Sequence, residues 1–378
     1  MPAAAILAGV REAVRGRGNH AELRDAMRRE YGARLLLLTD SGTSALRLAL
    51  AAAATERPGL PVALPGYACY DLATAAVGAG VPVALYDLDA ETLGPDFQHL
   101  KRIAARGLAA IVVVHLYGVP VDLAQARAVA VSANTLLIED AAQGTGGTYD
   151  GVPLGGHGSL AVLSFGRGKG VTAGRGGALL ANDERGERVI GDRAFAVRSG
   201  IAESLPLLAQ WLLARPSLYG IPAAIPWLKL GQTVYKAPRA SRGMSAFALG
   251  VLATTWALRE DAAKARRITG DGLHELIGRS QRMTAFHPVS GAVPGYLRFP
   301  VRARDPKIAG SLASSWAQWG AMRGYPTSLD RVGPLRSLIR DLDPLPRSAM
   351  LAETLLTFRT PVSERMLHAL YGERLVTR

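Results

Sequence analysis

Two short stretches hold the residues that could do chemistry: SFGRGKG, Ser164 to Gly170, and IEDAAQ, Ile138 to Gln143. Each closes an apolar run of strand type, LAVLSF and TLLIED, which is how an α/β sheet delivers polar side chains to the carboxyl edge where ligands bind. Lys169, set among Gly166, Gly168 and Gly170, can approach a carbonyl compound with little crowding, and the glycines let backbone amides close on an anion. Only an uncharged amine attacks a carbonyl. A nucleophilic Lys169 therefore needs burial, or a neighbouring cation such as Arg167, to lower its pKa. A solvated loop lysine and a strand-end capping aspartate, Asp140, are the ordinary alternatives.

A third stretch adds an anion site. ARLLLLTD, Ala33 to Asp40, reads as a strand, and SGTSALRLALAAAA after it reads as a helix opened by Ser41, Gly42, Thr43 and Ser44. Free amides and the helix dipole at such a start both favour an anion, although N-capping alone also uses these residue types.

The elements that must position these residues alternate. Two helices, 3–16 and 20–31, precede the first strand. Val62–Asp71 opens as a strand, LATAAVGAG as a helix, VPVALYDLD as a strand, Leu108–Gly118 as a buried strand, and Asp122–Ala133 as a helix before TLLIED. GRGGALLAND gives a further strand after the lysine loop. This alternation predicts a mostly parallel sheet wrapped by helices. The texture then changes. Ser241–Glu260 reads as a long helix with Ser245 as its cap, Tyr296–Ala303 as a strand, Asp305 as the cap of a helix with Pro306 at its first position, MRGYPTSL as a loop, and Ser363–Tyr371 as a closing helix. The expected division is a large α/β domain over 1–240, with an apolar insertion at about 203–235, and a small α+β domain over 241–378.

Hydrophobic content of 49% and charged content of 20% over 378 residues describe an ordered globular chain. The net charge of +13 favours anionic partners, yet the arginines are scattered, without a basic run or a recognisable nucleic-acid module, so nucleic acid is excluded as a partner. Cys69 is the sole cysteine, which excludes an intramolecular disulfide and a cysteine metal site and suits a cytoplasmic protein. Leu205–Leu230 is strongly apolar but broken by Arg215 and four prolines, so its uncharged runs fall short of the roughly 20 residues that cross a bilayer. Internal burial or dimer packing is the preferred reading of residues 205–230, and peripheral contact with the inner membrane face is the alternative.

A lysine, a strand-end acid and a hydroxyl-rich helix start together match the needs of pyridoxal 5'-phosphate: an amine for the aldehyde, a carboxylate for the pyridine nitrogen, amides and hydroxyls for the phosphate. In the order SGTSAL, VHLYG, IEDAAQ, SFGRGK and GGALLAND, from about Arg34 to Leu370, the sequence resembles the DegT/DnrJ/EryC1/StrS aminotransferases, pyridoxal-phosphate enzymes of fold type I that mostly aminate nucleotide-linked keto sugars. The resemblance implies that Lys169 forms the Schiff base and moves the proton, that Asp140 pairs with the ring nitrogen, that Gln143 lies against the ring, and that Ser164, Gly42, Thr43 and Ser44 bind the phosphate. His115 in VHLYG reads as structural. Three departures stand out. Cys69, flanked by Tyr67 and Tyr70, occupies the place of the family's stacking aromatic, so stacking either passes to a tyrosine, with Tyr70 assigned to the cofactor, or is lost. Arg175 stands in GRGG where the family has GEGG, and Ser241 stands where an asparagine reaches a neighbour's phosphate. The resemblance further implies a homodimer, glutamate as donor, and a nucleotide-linked keto sugar as acceptor, in cell-surface polysaccharide or secondary-metabolite synthesis. A lyase on the same cofactor and a non-catalytic regulatory or membrane-surface member are the alternatives. The lyases of this kind carry histidine in place of the lysine, which counts against the first.

Overall fold

The apolar runs read as strands are buried along nearly their whole length, because helices cover both faces of the sheet they form. A computed structural model describes residues 1–16, 20–196, 198–213 and 233–362. The closing helix expected at Ser363–Tyr371, and residues 214–230 of the apolar segment, lie outside them.

Seven strands form the main sheet: β1 (Leu35–Thr39), β2 (Val62–Pro65), β3 (Val83–Tyr86), β4 (Ala110–Val114), β5 (Leu136–Asp140), β8 (Leu160–Ser164) and β9 (Gly177–Ala181). Between β5 and β8, the two-residue strands β6 (Thr148–Tyr149) and β7 (Val152–Pro153) pair outside this sheet. The spatial order is β1-β9-β8-β5-β4-β2-β3. Only β9 runs against the others, pairing antiparallel with both β1 and β8. The carboxyl ends of β1, β2, β4, β5 and β8 therefore open on one edge.

Helices α1 (Ala3–Arg15) and α2 (Ala21–Tyr31) precede the sheet, and α3 (Gly42–Glu56), α4 (Tyr70–Ala79), α5 (Phe97–Ala104) and α6 (Leu123–Ser132) connect its strands. The expected helix from Ser241 begins at Ala246, capped by Ser245, whose hydroxyl accepts from the Ala248 amide, and it stops at Trp256. It packs on α1 in the main core. A second helix, Arg259–Gly278, follows after a two-residue break and has no counterpart in the sequence reading.

A second core gathers around the antiparallel sheet β10-β12-β14-β13, made of Met283–Ala285, Arg298–Ala303, Leu355–Arg359 and Met322–Arg323; Phe299, Val301, Trp316 and Phe358 fill it. Asp305 caps helix Pro306–Ser315 as expected, its carboxylate accepting from the Lys307 amide. MRGYPTSL is not wholly a loop, since Met322 and Arg323 pair with Thr357 and Leu356. Tyr325, Leu329 and Leu335, late in the chain, join the main core, so the C-terminal part folds back onto the edge where the site lies. Among the described residues no helix is long and apolar enough to cross a membrane.

Candidate active site

At the carboxyl edge a cleft of about 1090 Å³ opens between the start of α3, the loop after β8 and the segments 198–207 and 236–239. Gly42, Thr43, Ser44, Ser164 and Lys169 all line it.

The anion site is built by capping. Ser41, in extended conformation, accepts the Ser44 amide at 3.1 Å, while the amides of Gly42 and Thr43, first in α3, have no acceptor within the helix, and all three residues line the cleft. Gly42 has a steric reason to be glycine: a Cβ there would stand 2.8 Å from Ser164 Cβ. Asp40, which the sequence reading passed over, lines the same cleft and accepts the Ser44 hydroxyl at 2.6 Å. Ser44 is thus already committed, whereas the Ser164 hydroxyl has no hydrogen-bond partner among the described residues. We expect Gly42→Ala to weaken binding of pyridoxal phosphate at least about tenfold, because the added methyl pushes Ser164 out of the cup; titration by cofactor fluorescence checks it.

Lys169 lies beyond β8 on a loop turned by Gly168, Gly174 and Gly176, all at positive φ. Its amide donates to the Gly166 carbonyl at 3.2 Å, and its half-buried side chain forms no ion pair among the described residues. Arg167 is exposed on the same loop. Buried Arg266, from helix Arg259–Gly278, holds this loop from behind: its guanidinium donates to the carbonyls of Thr145 at 2.8 Å, Gly295 at 2.9 Å and Gly170 at 3.4 Å. Burial lowers its pKa to about 10. Sequence reading missed Arg266, since its partners lie about 30 to 120 residues away and only the fold assembles them.

Asp140 ends β5 at 5% exposure, with Oδ1 accepting the Ala142 amide at 3.0 Å. Burial raises its pKa, while that amide and the positive charge of Lys169 draw it back down. Its Oδ2 has no partner among the described residues. Gln143 spans two groups: Oε1 accepts the Tyr117 amide and Nε2 donates to Tyr325 Oη, each at 2.8 Å. Asp140, Gln143 and Tyr70 are not among the residues that line the cleft; Tyr70 is buried at the start of α4 with its hydroxyl bonded to Thr327 Oγ1 at 2.7 Å. Cys69, beside it, lies 3.6 Å from Asp71 Oδ2, and burial pushes its thiol up to about 12.

His115 behaves as a structural residue. Fully buried, it meets Glu139 at 2.9 Å through Nε2 and accepts the Val121 amide through Nδ1. Glu139 also accepts the amides of Gly155, His157 and Gly158. Burial pushes its pKa up, but His115 and these amides outweigh burial and hold it below the usual carboxylate range. Glu139→Ala should cost about 3 kcal/mol or more, because it strands a buried imidazole and three amides; chemical denaturation checks it.

The remaining lining is basic. Arg47, Arg167, Arg175, Arg198, Lys236 and Arg239 face three acids, Asp40, Asp71 and Glu203. Arg175 and Arg198 lie 3.8 and 3.7 Å from Glu203, whose other oxygen accepts the Ser245 hydroxyl at 2.6 Å. Arg175, the departure in GRGG, is thus paired with an acid from residue 203. Ser241 Oγ is buried without a partner among the described residues.

The sequence pattern described as the DegT/DnrJ/EryC1/StrS aminotransferase family matches residues 11–195. Over 153 residues the chain is 35% identical to the GDP-perosamine synthase of Caulobacter vibrioides, a stretch covering 40% of this chain and 41% of that protein. Over 143 residues it is 36% identical to the L-glutamine:2-deoxy-scyllo-inosose aminotransferase of Streptomyces kanamyceticus, covering 38% and 33%. The matches therefore span 41% or less of these relatives' own length. The fold is shared with a solved DegT DnrJ EryC1 StrS aminotransferase from Brucella abortus, at a TM-score of 0.72 and 20% identity over 97% of this chain and 94% of that one.

Proposed function

Because this chain belongs to the DegT/DnrJ/EryC1/StrS aminotransferase family, whose members depend on pyridoxal phosphate, we propose that it moves an amino group from an amino acid, glutamate first among donors, to a nucleotide-linked keto sugar. The observation that carries this reading is Lys169. Its side chain has no ion pair among the described residues, shares one cleft with the start of α3, and acts electrostatically on buried Asp140.

The donor set fits the cofactor. The first turn of α3 and Ser164 suit a phosphate. A buried carboxylate with an unpartnered oxygen suits a protonated ring nitrogen, since a cation there would offset the desolvation that raises the Asp140 pKa. When bound, the cofactor supplies a ring that accepts the electron pair released as a substrate C–H bond breaks. In this reading Lys169 would hold the cofactor through its amine and would be the group that moves a proton, Asp140 would face the ring nitrogen, and Gln143 would lie beside the ring. The six cations that line the cleft besides Lys169 suit an acceptor carrying a diphosphate.

A homodimer belongs to the same proposal. Helix α8 (Ser204–Leu213) exposes Leu205, Leu208 and Leu212 beside the cleft, an apolar face that a second subunit would cover. Flotation with anionic liposomes separates this from membrane docking, which would carry the protein to the top of the gradient.

The test is a half-reaction. Protein loaded with pyridoxal phosphate and mixed with glutamate, without acceptor, should release one equivalent of 2-oxoglutarate per site and stop. No release of a 2-oxo acid across a panel of amino acids would sink the proposal.

A further inference from the structure

Gln143 is held on both sides by groups from distant parts of the chain, and the second of them is a tyrosine from the C-terminal part. The Tyr117 amide can only donate, so Gln143 must turn Oε1 toward it, which aims Nε2 at Tyr325 Oη. The amide is thereby fixed in one orientation. One N–H of Nε2 and one lone pair of Oε1 remain for a ligand.

Tyr325 is itself fixed. Its ring stacks on Tyr117 at 5.5 Å and 17°, and packs on Tyr67 at 5.4 Å. Its amide donates to Tyr67 Oη at 2.8 Å, and the neighbouring Leu329 amide donates to the Gly66 carbonyl at 2.7 Å. Thr327 bonds Tyr70 through both its amide and its hydroxyl. Gly324 allows this close seating, since a Cβ there would collide with the Tyr67 hydroxyl. The segment 324–329 thus clasps the stretch Gly66–Tyr70, which leads to Cys69, and reaches Gln143 through one phenol. Burial raises the pKa of all three tyrosines, so their hydroxyls stay neutral.

We propose that Tyr325 is a positioning residue that anchors the Nε2 end of Gln143, whose amide the Tyr117 N–H already orients, making the C-terminal segment 324–329 part of the cofactor seat. This rests on the reading of the cleft as a pyridoxal phosphate site. Without the phenol oxygen Nε2 loses its acceptor, and the side chain, held by the Tyr117 amide alone, can swing about that one bond, so it must be ordered by the ligand itself.

Tyr325→Phe keeps the ring and both aromatic contacts and removes only the oxygen. The experiment is a double-mutant cycle on binding of pyridoxal phosphate, read by fluorescence, with wild type, Tyr325→Phe, Gln143→Ala and the double variant, alongside the melting temperature of each apo-protein. Tyr325→Phe should weaken binding about fivefold, the scale of one hydrogen bond. The double variant should bind no more weakly than Gln143→Ala, because the phenol acts only through the amide. Apo melting temperatures of wild type and Tyr325→Phe should agree within a few degrees. Wild-type affinity in Tyr325→Phe, or a loss that adds in full to that of Gln143→Ala, would overturn the proposal; so would a drop in melting temperature with an equal loss of affinity in both backgrounds. Wild-type protein that takes up no cofactor would overturn the function first, and this inference with it.

Discussion

Lys169→Ala lowers the rate of transamination by about four orders of magnitude or more, while the apo-protein melts within a few degrees of wild type. Both halves of this expected result come from one feature: Lys169 Nζ makes no hydrogen bond or ion pair among the described residues, so its removal leaves nothing buried unpaired, yet its loop follows β8 into the cleft. Lys169→Arg should fail equally, because a guanidinium stays protonated and cannot attack an aldehyde. Steady-state rates with calorimetric melting decide it. Residual activity within tenfold of wild type would remove Lys169 from the chemistry.

Asp140→Asn lowers the rate by about three orders of magnitude and leaves apo-protein stability at neutral pH equal or higher. Asparagine keeps an oxygen for the Ala142 amide but cannot hold a ring nitrogen protonated. The stability half follows from the raised pKa of Asp140, whose first cause is burial. A carboxyl raised in the folded state contributes no penalty below the ordinary carboxylate value near 4, and it destabilises as pH climbs through its raised value. The uncharged amide escapes that penalty. Melting curves from pH 4 to 8 should therefore show the two proteins converging at the acid end and Asn pulling level or ahead at the neutral end. A variant that melts well below wild type at pH 7 would mean that Asp140 is structural.

The parts of the fold legible in the sequence were those with a local cause. TLLIED and LAVLSF are buried throughout, so their hydrophobic runs end where polar side chains emerge, and the run of SGTS declares its own cap. Ser245 and Asp305 were readable for the same reason: a cap lies next to what it caps. What could not be read were pairings made by folding. Tyr325 and Gln143 are 182 positions apart. Arg266 and Thr145 are 121 apart, and nothing near either signals a buried guanidinium. Glu203, which meets Arg175, lies in a segment read only as apolar. Asp40 was legible and overlooked, since a strand-end acid directly before a hydroxyl-rich helix start is a natural acceptor for one of those hydroxyls.

Tyr70, the first residue of α4, bonds through its hydroxyl to Thr327, a partner 257 positions away that no local pattern announces.

The most direct test is the visible absorption spectrum of protein loaded with pyridoxal phosphate, before and after glutamate, beside Lys169→Ala treated identically. The expected result is a lysine-dependent visible band in wild type alone, lost on adding glutamate as one equivalent of 2-oxoglutarate forms. Well-folded wild-type protein with no band, or a band of equal position and strength in Lys169→Ala, would contradict the assignment of this cleft as an aminotransferase site.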